Sequence, residues 1–223
     1  MSFSIAIDGP AGAGKSTIAK IVAAELGFVY IDTGAMYRAM ALYFLRKSID
    51  CSDADRVITM LEDIDISIAY VDGLQHVYLN GEDVSAAIRT GEVGAGASKV
   101  SAIPEVRVKL VDIQQKLAHT IDVVMDGRDI GSVVLPDAPL KIYLTASVQV
   151  RAQRRYKEYI EKGMTADIAV IEQEIRERDY RDMHRDASPL VCVEDAVTVD
   201  SSELSIDEVA ERITGLARER MGV

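Results

Sequence analysis

The sequence predicts an α/β protein into which a small antiparallel sheet is inserted. Apolar stretches of strand length alternate along the chain with segments whose apolar residues recur at helical spacing, which is typical of this class. The alternation is interrupted once, between residues 64 and 80, where apolar and polar residues follow each other with a period of two. Turn sequences at Asp72-Gly73 and Asn80-Gly81 predict that this stretch folds back on itself as antiparallel strands.

The segment between the first predicted strand, residues 3–7, and the first helix has the pattern of a phosphate-binding loop: two glycines five residues apart, then lysine and a hydroxyl residue. Glycine lets backbone N–H groups surround phosphate oxygens without a Cβ in the way. Lys15 can reach the β- and γ-phosphates of a nucleoside triphosphate, and the Ser16 hydroxyl can bind Mg²⁺. The predicted phosphate site consists of Gly9, Pro10, Ala11, Gly12, Ala13, Gly14, Lys15, Ser16 and Thr17.

The remaining elements are predicted from the same periodicities. Strands are predicted at 28–31, 121–125, 140–144 and 196–199, and helices after residue 32 and at 54–61, 92–101, 104–119 and 205–218. Thr33 is the expected N-cap of the helix after residue 32. Ser98 and Arg107 lie off the apolar stripe of their helices and are expected at the surface.

Two further helices, separated by Gly163, carry a concentration of basic residues. Seven of the sixteen arginines lie between Arg151 and Arg185, although the net charge of the chain is −11. Such a cluster in an acidic protein indicates a small anionic ligand, or alternatively a solvated helix face. In the second of these helices one face turns from apolar to ionic along the line Ile168, Ile171, Ile175, Arg178, Asp182 and Arg185.

Charge and composition also limit the function classes. The negative net charge argues against a general nucleic-acid or anionic-membrane binder. Cys51 and Cys192 form no metal or disulfide pattern and are interpreted as two small buried residues. We recognise no signal peptide and no apolar run of about 18 residues, so we expect a cytoplasmic protein.

Two more segments are candidates for ligand binding. Asp126-Gly127-Arg128-Asp129 follows a predicted buried strand, and ligands of open α/β sheets lie beyond the carboxyl ends of strands. Arg38 lies one turn inside the helix that begins near Thr33, where an arginine and free N–H groups could bind a second phosphate. Alternatively, the first segment is a charged surface turn and the second a plain cap with a surface arginine.

Taken together, these segments resemble bacterial-type cytidylate kinases, which are nucleoside-monophosphate kinases, from about Ile5 to Ile213. The phosphate loop alone is shared with many other NTPases, whereas the Asp-Gly-Arg-Asp element preceded by a β insert is more specific. The other matching segments are Asp32-Thr33-Gly34-Ala35-Met36-Tyr37-Arg38, Asn80-Gly81-Glu82-Asp83-Val84-Ser85, Ile88-Arg89-Thr90 and Arg176-Glu177-Arg178-Asp179.

The resemblance implies one kinase domain, residues 1–223, with a parallel sheet of the P-loop NTPase type and helices on both faces. Its core would comprise residues 1–62, 121–150 and 186–223. The monophosphate-binding region with the β insert would span about 63–120, and a lid about 151–170. The implied ligands are ATP as phosphoryl donor, Mg²⁺, and CMP or dCMP as acceptor. We expect a monomer without nucleic-acid or membrane partners.

The resemblance also implies roles for individual residues. Those expected to act on the reacting phosphates are Lys15, Arg128, Arg151, Arg155 and Arg185, with Arg154 as a third lid arginine. The acceptor phosphate would be held by Thr33, Arg38, Arg128 and Arg185. The cytosine would be contacted by Ser98, Arg107 and Asp129, and the ribose by Arg178 and Asp182. Ser16 would bind the metal.

The same segments raise three other interpretations, two of which the sequence disfavours. A related phosphate-loop kinase could act on UMP, dTMP, AMP or shikimate. A regulatory GTPase is disfavoured because Asn80, the only asparagine, is not followed by lysine, and no glycine has an aspartate three residues before it. A non-catalytic nucleotide-binding module is disfavoured because ATP binding alone does not require the dispersed arginines.

Overall fold

The computed structural model describes residues 2–71 and 74–223. The β-strands are β1 Ser4–Asp8, β2 Val29–Asp32, β3 Ile66–Val71, β4 Leu74–Leu79, β5 Glu82–Asp83, β6 Val123–Gly127, β7 Leu140–Thr145 and β8 Val197–Asp200. The α-helices are α1 Lys15–Leu26, α2 Thr33–Arg46, α3 Ala54–Thr59, α4 Gly91–Val100, α5 Pro104–Ala118, α6 Val148–Glu161, α7 Ile168–His184 and α8 Ile206–Met221. Single helical turns lie at Leu61–Asp63, Ala87–Arg89 and Ile130–Val134, and the last is π-helical.

The chain divides into two compact units. The first consists of the residues up to Tyr30 together with those from Thr120 onward, and the second is Ile31–His119. Residues 31–62, which the sequence analysis grouped with the core, therefore lie in the second unit, because α2 packs against α4 and the small sheet. The functional division into core, monophosphate-binding region and lid stays a prediction.

The first unit is built on a five-stranded sheet in the order β2-β6-β1-β7-β8. The central strand β1 runs parallel to both neighbours, with Ile7 opposite Asp126 on one side and Ile142 on the other. Ile5 and Ile7 are fully buried, and α1 and α8 pack together in the same apolar cluster. The predicted α/β class with a parallel sheet is confirmed.

The second unit is centred on α2, whose Met36, Met40 and Phe44 are fully buried. The antiparallel sheet β3-β4-β5 packs against this helix, which confirms the predicted β insert. Asn80 and Gly81 have positive φ angles of 50° and 81°, as a tight hairpin turn requires. The turn predicted at Asp72 and Gly73 lies outside the described residues.

Several local predictions were wrong. The N-cap of α2 is Asp32 and not Thr33, because the Asp32 carboxylate accepts from the Ala35 N–H. On α7 the buried face continues from Ile175 to Asp179, while the Arg178 side chain is 37% exposed. The next buried residue after Ile175 is thus four positions further along the helix, whereas the predicted face continued after three positions, at Arg178.

Two burial expectations, the exposure of Arg107 and the burial of Cys192, were also wrong. Arg107 is buried, with only 4% of its surface exposed, because its guanidinium lies over the Tyr37 ring, 5.4 Å from the ring centroid. Cys51 is buried but Cys192 is exposed, and both are free thiols. Within 2–71 and 74–223, no helix has the length and apolar character needed to cross a membrane.

Candidate active site

The phosphate loop connects β1 to α1 through backbone conformations that only glycine adopts easily. A Cβ on Gly9, whose φ is 148°, would collide with the carbonyl oxygen of Leu144. Gly12 and Gly14 have φ angles of 77° and 92°. Because Gly14 is the N-cap of α1, no side chain caps the first N–H groups of that helix. These groups and the helix dipole favour an anion at this position.

Lys15 is buried at the start of α1, and its ammonium group donates to the Pro10 carbonyl at 2.8 Å. Burial, and next the positive charge of Arg128, lower the pKa of Lys15 well below its ordinary value, although Asp126 opposes the shift. Phosphate oxygens nearby would favour the charged ammonium form. Lys15 is therefore suited to bind the anionic end of a nucleotide.

The Ser16 hydroxyl donates to the carboxylate of Asp126 at 2.8 Å, and the Tyr30 hydroxyl donates to the other carboxylate oxygen at 2.8 Å. Asp126 lies near the carboxyl end of β6, next to β1, so strand pairing brings it to the loop. Hydroxyl and carboxylate oxygens are ligands that Mg²⁺ prefers, and Mg²⁺ usually takes only one or two from the protein. The described residues contain no cluster of three or more His, Cys, Asp or Glu side chains able to hold a metal ion. Because Mg²⁺ needs so few protein ligands, the oxygens of Ser16 and Asp126 would suit a magnesium ion that also binds phosphates.

Asp8, the last residue of β1, supports the segment that follows β6. Its carboxylate accepts from the N–H groups of Ile130 and Gly131 at 2.8 and 2.7 Å. Burial raises the pKa of Asp8 to about 6, although these two hydrogen bonds oppose the shift. Asp8 thus fixes the π-helical turn directly after Arg128 and Asp129.

An ionic cluster follows at the end of β6. The Arg128 Nε donates to the Asp182 carboxylate at 2.8 Å, and the Arg178 Nε lies 4.0 Å from the same oxygen. The Arg185 guanidinium lies 3.9 Å from Asp129. Burial would raise the pKa of Asp182, but Arg128, Arg178 and Arg185 outweigh it and lower that pKa. The first unit thus brings these five predicted residues together.

Of the predicted lid arginines, Arg151 is the most buried, with 4% of its side chain exposed. Its guanidinium forms an ion pair with Asp179 at 2.7 Å and donates to the carbonyls of Ala146 at 2.9 Å and Ala11 at 3.0 Å. Since Ala11 belongs to the phosphate loop, Arg151 ties the loop to α7.

Arg154 and Arg155 have different surroundings. Arg154 donates to the Ser201 carbonyl at 2.6 Å. Arg155 donates to the Tyr159 hydroxyl at 2.8 Å and lies 3.2 Å from Glu174, with one third of its side chain exposed. Arg154 is the most exposed of the three, and Arg155 is half-buried.

The second unit holds the other four predicted residues. Thr33 is the buried first residue of α2, and Arg38, one turn later, pairs with Asp32 at 2.7 Å. Arg107 donates to the Ser101 carbonyl at 3.1 Å. Ser98 lies half-buried on α4, and its carbonyl accepts from the Ser101 hydroxyl at 3.0 Å.

Sequence reasoning assigned no role to Asp8, Tyr30, Asp126 or Asp179. The carboxylates at the ends of β1 and β6 carried a usable signal, since parallel neighbouring strands present their carboxyl ends at one edge. The burial of Asp179 could have been predicted only by continuing the apolar face of α7 four residues beyond Ile175.

Comparison with known proteins gives consistent results. The sequence profile of one family, described as Cytidylate kinase, matches residues 5–219. A cytidylate kinase of Caldicellulosiruptor bescii is 51% identical over 213 residues, or 96% of this chain and 94% of that protein. A cytidylate kinase of Lactobacillus johnsonii is 48% identical over 216 residues, or 97% and 94%.

Among solved structures, a gluconokinase from Sinorhizobium meliloti has a TM-score of 0.52 and 15% sequence identity. The match covers 99% of this chain and 94% of that one. At this identity the likeness concerns the fold alone.

Proposed function

Because the chain belongs to the cytidylate kinase family and is an ATP-dependent phosphotransferase, we propose that it transfers the γ-phosphoryl group of ATP to CMP or dCMP, giving ADP and CDP or dCDP. The observation that supports this proposal most directly is that the first unit contains both a phosphate-binding loop and an arginine cluster at the end of β6. A glycine-rich loop with Lys15 and Ser16 serves a triphosphate, and the Arg128 cluster offers positive charge for a second phosphate.

On the donor side, the loop N–H groups and Lys15 bind the β- and γ-phosphates. Ser16 would hold Mg²⁺ together with Asp126, and the ion would neutralise charge on the phosphate oxygens. Arg151 keeps the loop in place through Ala11. Arg155, with one third of its side chain exposed, approaches the transferred phosphoryl group. The preorganised positive charges stabilise the charge that develops during transfer.

On the acceptor side, Thr33, Arg38, Arg128 and Arg185 bind the monophosphate. Its oxygen is already an anion and attacks directly, so the reaction needs alignment and charge stabilisation but no general base. This agrees with a site built from arginines and carboxylates. Asp182 holds the Arg128 guanidinium at 2.8 Å and so fixes its orientation.

The acceptor base is recognised by Ser98, Arg107 and Asp129, and the ribose by Arg178 and Asp182. Cytosine presents an amino donor at N4 and acceptors at N3 and O2. The Asp129 carboxylate accepts from N4, whereas uracil has a carbonyl oxygen at that position. The burial of Asp129 and Arg107 supports these roles, because hydrogen bonds discriminate most strongly where water is excluded.

We further propose that the enzyme acts as a monomer in the cytoplasm, on small molecules only. The net charge of −11 supports the absence of a nucleic-acid partner.

A coupled ADP-release assay with ATP and Mg²⁺ tests the proposal across CMP, dCMP, UMP, AMP and dTMP. We expect CMP and dCMP to be used, with kcat/KM for UMP lower by about tenfold or more, as unpaired buried polar groups predict. A Lys15→Ala preparation controls for contaminating kinases. Equal use of UMP, or a higher kcat/KM for AMP or dTMP, would contradict the acceptor assignment.

A further inference from the structure

Gln75 is a polar side chain on the face of β4 that packs toward the core. In a strand every second residue points to the same face, so Gln75 shares its face with Val77 and Leu79. Val77 and Leu79 are buried in the apolar cluster around α2, and Gln75 is half-buried. A polar group in such a position costs free energy unless it is hydrogen-bonded.

The partner of Gln75 is the backbone of Asp32. The side-chain oxygen of Gln75 accepts from the Asp32 N–H at 2.8 Å, and its amide nitrogen donates to the Asp32 carbonyl at 3.3 Å. One amide thus binds both backbone groups of one residue, as a neighbouring strand would. Both residues belong to the second unit.

Asp32 is the residue that organises the start of α2. One carboxylate oxygen accepts from the Ala35 N–H at 2.9 Å, and the other pairs with Arg38 at 2.7 Å. The packing is close, because a Cβ on Gly34 would lie 3.2 Å from Asp32 Oδ1 and 3.3 Å from the Arg38 guanidinium. A change in the Asp32 backbone would therefore displace Arg38.

We propose that Gln75 is a positioning residue for the acceptor phosphate, acting through Asp32 on Arg38 and on the start of α2. The small antiparallel sheet thereby becomes a functional part of the acceptor site, since it supplies the side chain that orients Asp32. This inference rests on the proposed function of Arg38 in binding the CMP phosphate.

The test compares four variants with the wild-type enzyme. Gln75→Met keeps the side-chain volume but removes both hydrogen bonds, and Gln75→Glu keeps the acceptor of the shorter bond. His76→Ala is the matched control, because His76 points to the opposite face of β4 and pairs with Asp83. Arg38→Met removes the proposed phosphate contact itself.

The measurements are kcat, KM for CMP, KM for ATP, and CMP affinity by calorimetry. Two lost hydrogen bonds predict that Gln75→Met weakens CMP binding about tenfold, with KM for ATP within about twofold of wild type. Gln75→Glu is also expected to weaken CMP binding, because its second carboxylate oxygen faces the Asp32 carbonyl, and His76→Ala is expected to leave CMP binding unchanged.

The outcomes separate the two proposals. If Arg38→Met weakens CMP binding but Gln75→Met behaves like His76→Ala, the positioning role is wrong and the proposed acceptor site stands. If Arg38→Met leaves CMP binding unchanged, the proposed role of Arg38 is itself wrong. If Gln75→Met or Gln75→Glu raises KM for ATP as much as KM for CMP, Gln75 serves general stability and the inference fails.

Discussion

The buried carboxylate of Asp8 predicts an unusual pH dependence of stability. Its pKa is raised from 3.8 to about 6, mainly by burial, and only 7% of the residue is exposed. Between these two pH values the folded protein keeps a proton that the unfolded chain has released. The free energy of unfolding therefore falls as pH rises through this window.

The size of the effect follows from the pKa difference. A shift of about two units at about 1.4 kcal/mol per unit corresponds to about 3 kcal/mol. This contribution is fully present below pH 4 and is lost above pH 6. In Asp8→Asn the contribution is absent, and one of the two hydrogen bonds to Ile130 and Gly131 is also lost, which adds a pH-independent cost of about 1–3 kcal/mol.

Urea unfolding of the wild type and Asp8→Asn at pH 4, 5, 6 and 7 measures the difference directly. We expect the difference between the free energies of unfolding of the wild type and Asp8→Asn to change by about 3 kcal/mol from pH 4 to pH 7. Asp50→Asn is the exposed control. Hydrogen bonds from Ser52 and Lys99 lower the pKa of Asp50 to about 2, so its titration falls outside the range.

A carbon-13 NMR titration of the side-chain carboxyls identifies Asp8 by the resonance that Asp8→Asn lacks. We expect its midpoint near pH 6. A midpoint near 4, or unfolding free energies that run parallel between pH 4 and 7, would refute the argument that burial dominates the environment of Asp8.

Three further predictions concern catalysis. Lys15→Ala is expected to lower kcat by about 100-fold or more while the thermal midpoint is kept, because charge on the transferred phosphate loses a preorganised partner; near-normal turnover would exclude the loop assignment. Arg128→Lys should lower kcat/KM for CMP by about 10–100-fold with little change in KM for ATP, because lysine lacks the fork that binds Asp182 and a phosphate together. An equal loss of ATP affinity would instead assign Arg128 to the donor side. Asp129→Ala should reduce the preference for CMP over UMP by about tenfold, measured as the ratio of the two kcat/KM values. An unchanged ratio would mean that Asp129 does not contact the base.

The sequence by itself determined the features that depend on neighbours along the chain. The phosphate loop could be predicted because its glycines must adopt positive φ angles between a strand and a helix. The Asn80-Gly81 turn follows from the same backbone rule. The alternation of strand and helix patterns was sufficient to predict the α/β class with its antiparallel insert.

Only the tertiary structure decided which distant residues meet. Asp126 contacts Ser16 across 110 positions of the chain, and Asp8 contacts Gly131 across 123, because both pairs depend on the alignment of β1 with β6. Gln75 and Asp32 are likewise joined by the packing of β4 near the start of α2.

The burial of charged side chains could not be predicted from the local sequence either. Arg107 was expected at the surface because it lies off the apolar stripe of its helix, yet the Tyr37 ring and the Ser101 carbonyl provide partners that make its burial possible. A charge can leave water only where such partners are assembled, and they come from residues that no sequence pattern brings together.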